Sequence, residues 1–213
     1  MRALAAFRCQ GKPIRLRHPV RRMQWRIPRT GHPEYLGGKY ANPSFACTQM
    51  QHTNTARAAS LETTSLWDYP DPFIQPISPG EQDIDGLEHT NNAIYVQWCE
   101  AIAWAHSATL GLDLQAYRTL DRAMAIHEAH YEYLQASTLG DELLLGTWLV
   151  GSDGRLTLQR RFQIIRPRDN AVILRGQWEL VCIEISSGRA RRMPEEFCKA
   201  YLAALVPEPD VGI

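Results

Sequence analysis

The pattern of hydrophobic and polar positions changes character near Trp67. Upstream of it, apolar residues recur at neither helical nor strand spacing. Downstream, Phe73-Ile74-Gln75-Pro76-Ile77 is a short apolar run broken by a proline, which lacks the N–H an interior strand needs, so it reads as an edge strand. Tyr95, Trp98, Cys99, Ile102 and His106 then fall at i, i+3, i+4, i+7 and i+11, one face of a helix. Thr90 or Asn91 is the natural N-cap and Gly111 the natural stop, which predicts a helix of about 18 residues. From there to Ser186 the chain reads as strands. They cover residues 123–134 and 142–150, then a stretch where Leu156, Leu158, Phe162 and Ile164 alternate with Thr157, Gln159, Arg161 and Gln163. The last strand has Val172, Leu174, Trp178, Leu180 and Cys182 on one face. Gly140-Asp141, Asp153-Gly154 and residues 167–170 supply the turns, Asp153-Gly154 being the strongest hairpin signal. Pro194, in the first turn, opens a short helix through Leu205. One strand, one long apolar helix and an antiparallel meander of four strands make an α+β fold, with the helix wrapped by a curved sheet of about five strands.

Composition adds a boundary. The chain has 213 residues, 45% hydrophobic and 22% charged, and no apolar run approaches the roughly 18 residues that cross a bilayer, so no membrane span is expected. The 23 basic and 23 acidic residues cancel, yet residues 1–50 hold ten of the former and only Glu34 of the latter. A basic arm for nucleic acid, an Arg-rich transit peptide and an unstructured extension ahead of a true start at Met50 all suit that imbalance. We adopt the third, because residues 1–65 show nothing able to bury the surface that offsets ordering entropy, and we expect no nucleic-acid partner. The domain is then residues 66–213. Five cysteines without a CxxC spacing argue against a disulfide scaffold or zinc ribbon and for a reducing, cytoplasmic setting. Only a brief apolar patch follows Met1, so no secretory signal is expected. His127 and His130, three apart on a strand, should point to opposite faces and make no metal pair.

Chemistry concentrates in residues 83–95, where Asp83, Asp85, His89, Asn91, Asn92 and Tyr95 stand in a polar turn that runs into the long helix. This segment resembles the D-x-D-x-x-G-H-x-N-N-x-x-Y signature of hotdog-fold thioesterases of the 4-hydroxybenzoyl-CoA thioesterase-like superfamily. Two further stretches resemble the same family in register: Tyr133-Leu134 with Gly140-Asp141-Glu142-Leu143, and Arg191-Arg192-Met193-Pro194-Glu195-Glu196. Together they span roughly Trp67 to Leu205. The resemblance implies a hotdog fold, assembly as a homodimer or homotetramer with sites built between subunits, and thioester hydrolysis without a metal or redox cofactor. By position it assigns Asp85 as the catalytic carboxylate, the Asn92 backbone N–H as oxyanion donor and His89 as a catalytic or positioning group. Tyr95 would border the acyl group, and Arg191 and Arg192 would hold coenzyme A phosphates. Glu88 departs from the pattern, since glycine is common there, and it brings a second carboxylate to the turn.

Elementary chemistry supports the assignment from a different side. A helix start exposes unpaired N–H groups and partial positive charge, which suits an oxyanion forming on a thioester carbonyl. A carboxylate seven residues earlier, across a turn, can reach the same carbon or a water beside it. No G-x-S-x-G elbow offers a serine mechanism. The expected activity is hydrolysis of an acyl-CoA to free acid and coenzyme A. The alternatives are hydrolysis of an acyl-carrier-protein thioester and a non-catalytic hotdog module for acyl groups or partners, which Glu88 keeps open.

Overall fold

A computed structural model describes residues 66–207. The expectation that residues 1–65 form an unstructured extension lies outside the described residues. Five antiparallel strands form one sheet in the order β1-β3-β4-β5-β2. The strands are β1 (Phe73–Ile77), β2 (Arg122–Tyr133), β3 (Leu143–Ser152), β4 (Thr157–Arg166) and β5 (Ala171–Glu184). The long helix α1 (Asn92–Thr109) lies against one face of this sheet. This is the α+β hotdog arrangement that the sequence implies.

Each predicted element has a local cause that the coordinates show. Pro76 sits in β1, at an edge of the sheet, opposite Leu144. Asn91 caps α1 by accepting the Ala93 N–H at 2.9 Å, satisfying one of the donors every helix start leaves open. Tyr95, Cys99 and Ile102 are buried along the predicted stripe, with Trp98 and His106 half-buried at its margins. The helix ends where Gly111 takes φ +81, a conformation that costs a side-chain-bearing residue about 1–2 kcal/mol. Asp153 Oδ1 closes the β3–β4 turn by accepting the N–H groups of Arg155, Leu156 and Thr157.

The structure departs from the sequence expectation in three places. A second helix, α2 (Leu114–Leu120), stands where only strand was expected; Asp113 caps it through the Ala116 N–H at 2.7 Å. Two turns give too few apolar repeats for a period to emerge, and Tyr117 is its one buried residue. The C-terminal helix α3 (Glu195–Ala203) begins one residue later and ends two earlier than expected, with Pro194 as its N-cap. Finally, β2 carries a register shift between Ile126 and Glu128, leaving His127 as the extra residue. Such a bulge breaks strict alternation, so spacing alone does not place His127 and His130 on opposite faces.

The core lies between α1 and the inward-facing residues of β3, β4 and β5, closed by Tyr117, Phe197 and Tyr201 of the short helices. Cys99 and Cys182 are buried free thiols in this core, and Cys198 is half-buried. The opposite face of the sheet is crossed by residues 66–70. Asp68 forms a forked ion pair with Arg175 at 2.6 and 2.9 Å, and the Trp148 indole donates to the Pro70 carbonyl. Trp67 comes so near Gly146 that a Cβ there would stand 2.8 Å from its ring, so this position needs glycine. Among the described residues no helix is long and apolar enough to cross a membrane.

Candidate active site

The signature turn is a closed loop rather than a flexible linker. A bridge joins Ile84 to Thr90, and the Asp85 N–H donates to the His89 carbonyl at 2.8 Å. Asp83 faces away from this turn, its carboxylate accepting the Gly80 N–H while its carbonyl accepts the Asn91 N–H. Asp85 Oδ1 accepts the Leu87 N–H at 2.8 Å and the His89 N–H at 3.4 Å. Its other oxygen has no hydrogen-bond donor among the described residues. The carboxylate is therefore oriented by one atom and available through the other. Glu88 adopts φ +62, the left-handed region that suits glycine, which gives a backbone reason for glycine at this position in the resembling family. The side chains of Glu88, His89 and Asn92 are exposed.

Seven residues after Asp85, the helix begins. Its first N–H, at Asn92, has no acceptor among the described residues, because the Asn91 side chain is turned to Ala93. A helix terminus with an unused donor and partial positive charge has the chemistry to stabilise an oxyanion.

What holds the turn against the helix is Ser137, a residue the sequence reading missed. Its carbonyl accepts the Thr90 N–H at 2.8 Å, and its hydroxyl lies 2.7 Å from Thr90 Oγ1 and 2.8 Å from the Tyr95 hydroxyl. The Ser137 N–H returns a bond to the Tyr95 hydroxyl at 3.1 Å. Tyr95 is only 2% exposed. Its hydroxyl is thus committed to this network, so within one chain its visible work is to fix the turn.

Ser137 is fixed in its turn by the loop that carries the Gly140-Asp141 match. Asp141, 2% exposed, accepts the Thr138 N–H and pairs with Arg166 at 3.0 Å and Arg168 at 2.9 Å. Arg166 also grips Asp169 and the Ala136 carbonyl. Its guanidinium is held above the usual arginine range, first by the Asp169 bonds and then, against the cost of desolvation, by Asp141. The signal for Asp141 was present in the motif; nothing in the sequence named Arg166.

Arg191 and Arg192 do not join this cluster within one chain. Both are exposed; Arg191 approaches Glu184 at 3.5 Å, and the Arg192 carbonyl accepts from Arg122 Nε. Arg122 opens β2, whereas Tyr133 at its other end donates to the Asn92 carbonyl. Twelve strand residues place the two ends roughly 35 Å apart at ~3.3 Å per residue.

A cavity of about 430 Å³ opens beside the second half of α1, among Trp104, Tyr117, Met124, Leu158, Trp178 and Leu180. It starts at Glu100, roughly 12 Å along the helix axis from Asn92 at ~1.5 Å per residue. Its lining is mostly apolar, which suits an apolar group.

Solved structures resemble this fold at low identity. The 1,4-dihydroxy-2-naphthoyl-CoA thioesterase of Synechocystis superposes with a TM-score of 0.56 at 18% identity, over 62% of this chain and 96% of that one. A Staphylococcus aureus protein solved in complex with CoA gives 0.58 at 19%, over 63% and 86%. The 12:0-ACP thioesterase of Umbellularia californica gives 0.57 at 14%, over 63% of this chain and 54% of that one. No curated protein matches the sequence. Residues 79–201, from the turn before Asp83 to the last buried tyrosine of α3, match the family model described as the thioesterase-like superfamily, and the chain belongs to that family.

Proposed function

We propose that this protein hydrolyses acyl-CoA thioesters, with Asp85 as the catalytic carboxylate and the Asn92 N–H as the oxyanion donor. The carrying observation is the pairing of an oriented carboxylate, one oxygen unengaged, with an unused N–H at the head of α1. In the reaction, the thioester carbonyl oxygen accepts from Asn92. Asp85 either takes a proton from water as that water adds to the carbonyl carbon, or adds to the carbon itself to give an anhydride that water then opens. In both routes the C–S bond breaks, the thiolate leaves and is protonated, and the acid is released. One lost oxyanion donor typically costs ~2.7–4 kcal/mol of barrier, so the helix terminus is a large part of the expected rate. His89, exposed next to the carboxylate, positions water or substrate in this scheme.

The reading includes a homodimer as the minimal unit. β2 is an outer strand of the sheet, its far side without a strand among the described residues. Antiparallel pairing with a second copy would set the Arg122 end of one β2 beside the Tyr133 end of the other. That arrangement carries Arg191 and Arg192 of a second copy toward Asp85, removing the separation seen within one chain. Likenesses to CoA thioesterases and a CoA complex support this reading; the likeness to an ACP thioesterase makes acyl-carrier-protein substrates the second arm of the test.

The experiment is a hydrolysis screen over acyl-CoA and acyl-carrier-protein panels, read by free thiol release. Turnover that is lost in Asp85→Asn supports the proposal. Absence of turnover on both panels by a folded dimer overturns it in favour of a binding module.

A further inference from the structure

The wall of the apolar cavity holds a buried arginine with no counter-ion. Arg160, on β4, is 3% exposed. Nη1 donates to His106 Nδ1 and Thr147 Oγ1, each at 3.2 Å, and Nη2 donates to Ser107 Oγ at 3.3 Å. A guanidinium has five N–H groups, so Nε–H and one Nη2–H remain without a partner among the described residues. No carboxylate pairs with Arg160 among the described residues, whereas Arg166, Arg168, Arg175 and Arg191 all have one.

The surrounding groups do not supply the missing charge. The His106 imidazole accepts a bond from the arginine and is driven down to about 4, first by burial and then by the Arg160 charge beside it, so it is neutral at physiological pH. Tyr117 and Tyr201 share a hydroxyl–hydroxyl hydrogen bond near the cavity, and burial raises both phenols, so they too are neutral. Burial itself pulls the guanidinium down to about 10, which still leaves it charged. The three bonds go to neutral acceptors at 3.2–3.3 Å, the long end of the ordinary range and well outside the ~2.7–2.9 Å of a guanidinium on a carboxylate. A structural role would be met by a neutral amide at far lower desolvation cost.

We infer that the cavity is a subsite for a carboxylate carried on an apolar body, which the free edge of Arg160 would take by a fork of two N–H groups. Equating that body with the acyl group of the substrate rests on the thioesterase reading; the need for an anion does not. Two sources share this chemistry, a second carboxylate at the distal end of the acyl group and the carboxylate of a free acid.

The test uses the full-length protein and begins without any variant. Straight-chain carboxylic acids of increasing length and their primary amides are titrated calorimetrically. The acid should bind at least about tenfold more tightly than the amide of equal length, because a buried polar donor left unpaired penalises the neutral analogue. Arg160→Met should remove that preference, and Arg160→Lys should keep part of it. Acid and amide binding within twofold of one another, or no binding of either, overturns the subsite. A second arm compares CoA monothioesters of dicarboxylic acids with acyl-CoA thioesters of straight-chain monocarboxylic acids of equal length. A higher kcat/KM for the former assigns the anion to the substrate's distal end; equal values with acid-selective binding assign it to the free acid. Acid-selective binding without turnover of any thioester would leave this subsite standing and remove the thioesterase reading, so the two failures are distinguishable.

Discussion

Two buried arginines stand six residues apart on β4, and the protein treats them oppositely. Arg166 lies at the end of the strand, 8% exposed, gripped by Asp141 and Asp169 and by the carbonyl of Ala136. Arg160 lies mid-strand, 3% exposed, facing α1 and a cavity, with three long neutral bonds. The first is a fastener. Through Asp141 it holds residues 135–141, through Ser137 these hold Thr90 and Tyr95, and so the signature turn is set against the helix. The second stabilises nothing comparable, since a buried charge without an anion bears its desolvation uncompensated. The difference teaches that burial of a charge does not by itself reveal its purpose; its partners do.

The sharpest way to break the comparison is to remove the fastener's anion. Asp141→Ala leaves Asp169 as the one carboxylate on Arg166 among the described residues and strips the Thr138 N–H of its acceptor. Breaking a buried pair in this way should destabilise the fold by about 3 kcal/mol, measured by urea denaturation, with turnover falling as the turn loosens.

Acid should act on the other arginine's neighbourhood. Unfolded, the His106 imidazole takes a proton near 6.5; folded, it resists until about 4. Protons therefore favour the unfolded chain across that window. The His106 contribution is fully retained above pH 6.5 and lost progressively as pH falls toward 4. Denaturation midpoints measured at pH 7 and 5 should show the loss, and His106→Gln should flatten it.

Replacing Arg160 itself should do little to the fold. Arg160→Met keeps much of the volume and removes the desolvated charge, so stability should stay within ~1 kcal/mol of wild type or rise slightly. A loss comparable to that of Asp141→Ala would show that both arginines are fasteners. The smallest effect belongs to Glu88→Gly, which relieves a left-handed backbone and should add roughly 0.5–1 kcal/mol, read as a higher denaturation midpoint.

Legibility followed the range of the forces involved. The stripe of α1, its Asn91 cap, the edge position of Pro76 and the Asp153-Gly154 turn rest on contacts within a few residues, and periodicity displays these directly. The bulge at His127 and the two-turn helix α2 depend on how neighbouring strands meet, and no local pattern carries that. The signature turn was readable because its residues are contiguous. Its supports were not, since Ser137 and Arg166 lie 47 and 25 residues from the partners they hold, Thr90 and Asp141. Arg160 was half legible. It occupies the inward position between Leu158 and Phe162 in an otherwise regular alternation, and a charge there already marks a buried site in need of a partner.

The central claim is that the Asp85 carboxylate performs the hydrolysis, and one comparison tests it. Asp85→Asn preserves the Oδ1 acceptor for the Leu87 and His89 N–H groups, so the turn and the fold should survive. Asp83→Asn is the matching control, because an amide oxygen can still accept the Gly80 N–H. Measured by thiol release on the best thioester of the screen, Asp85→Asn should lower kcat by ~10²–10⁴-fold with KM little changed, the range expected of a positioned acid–base group. Asp83→Asn should remain near wild type. Activity of Asp85→Asn within about threefold of wild type, in a protein of unchanged stability, would contradict the account and leave a site that binds acyl groups without cleaving them.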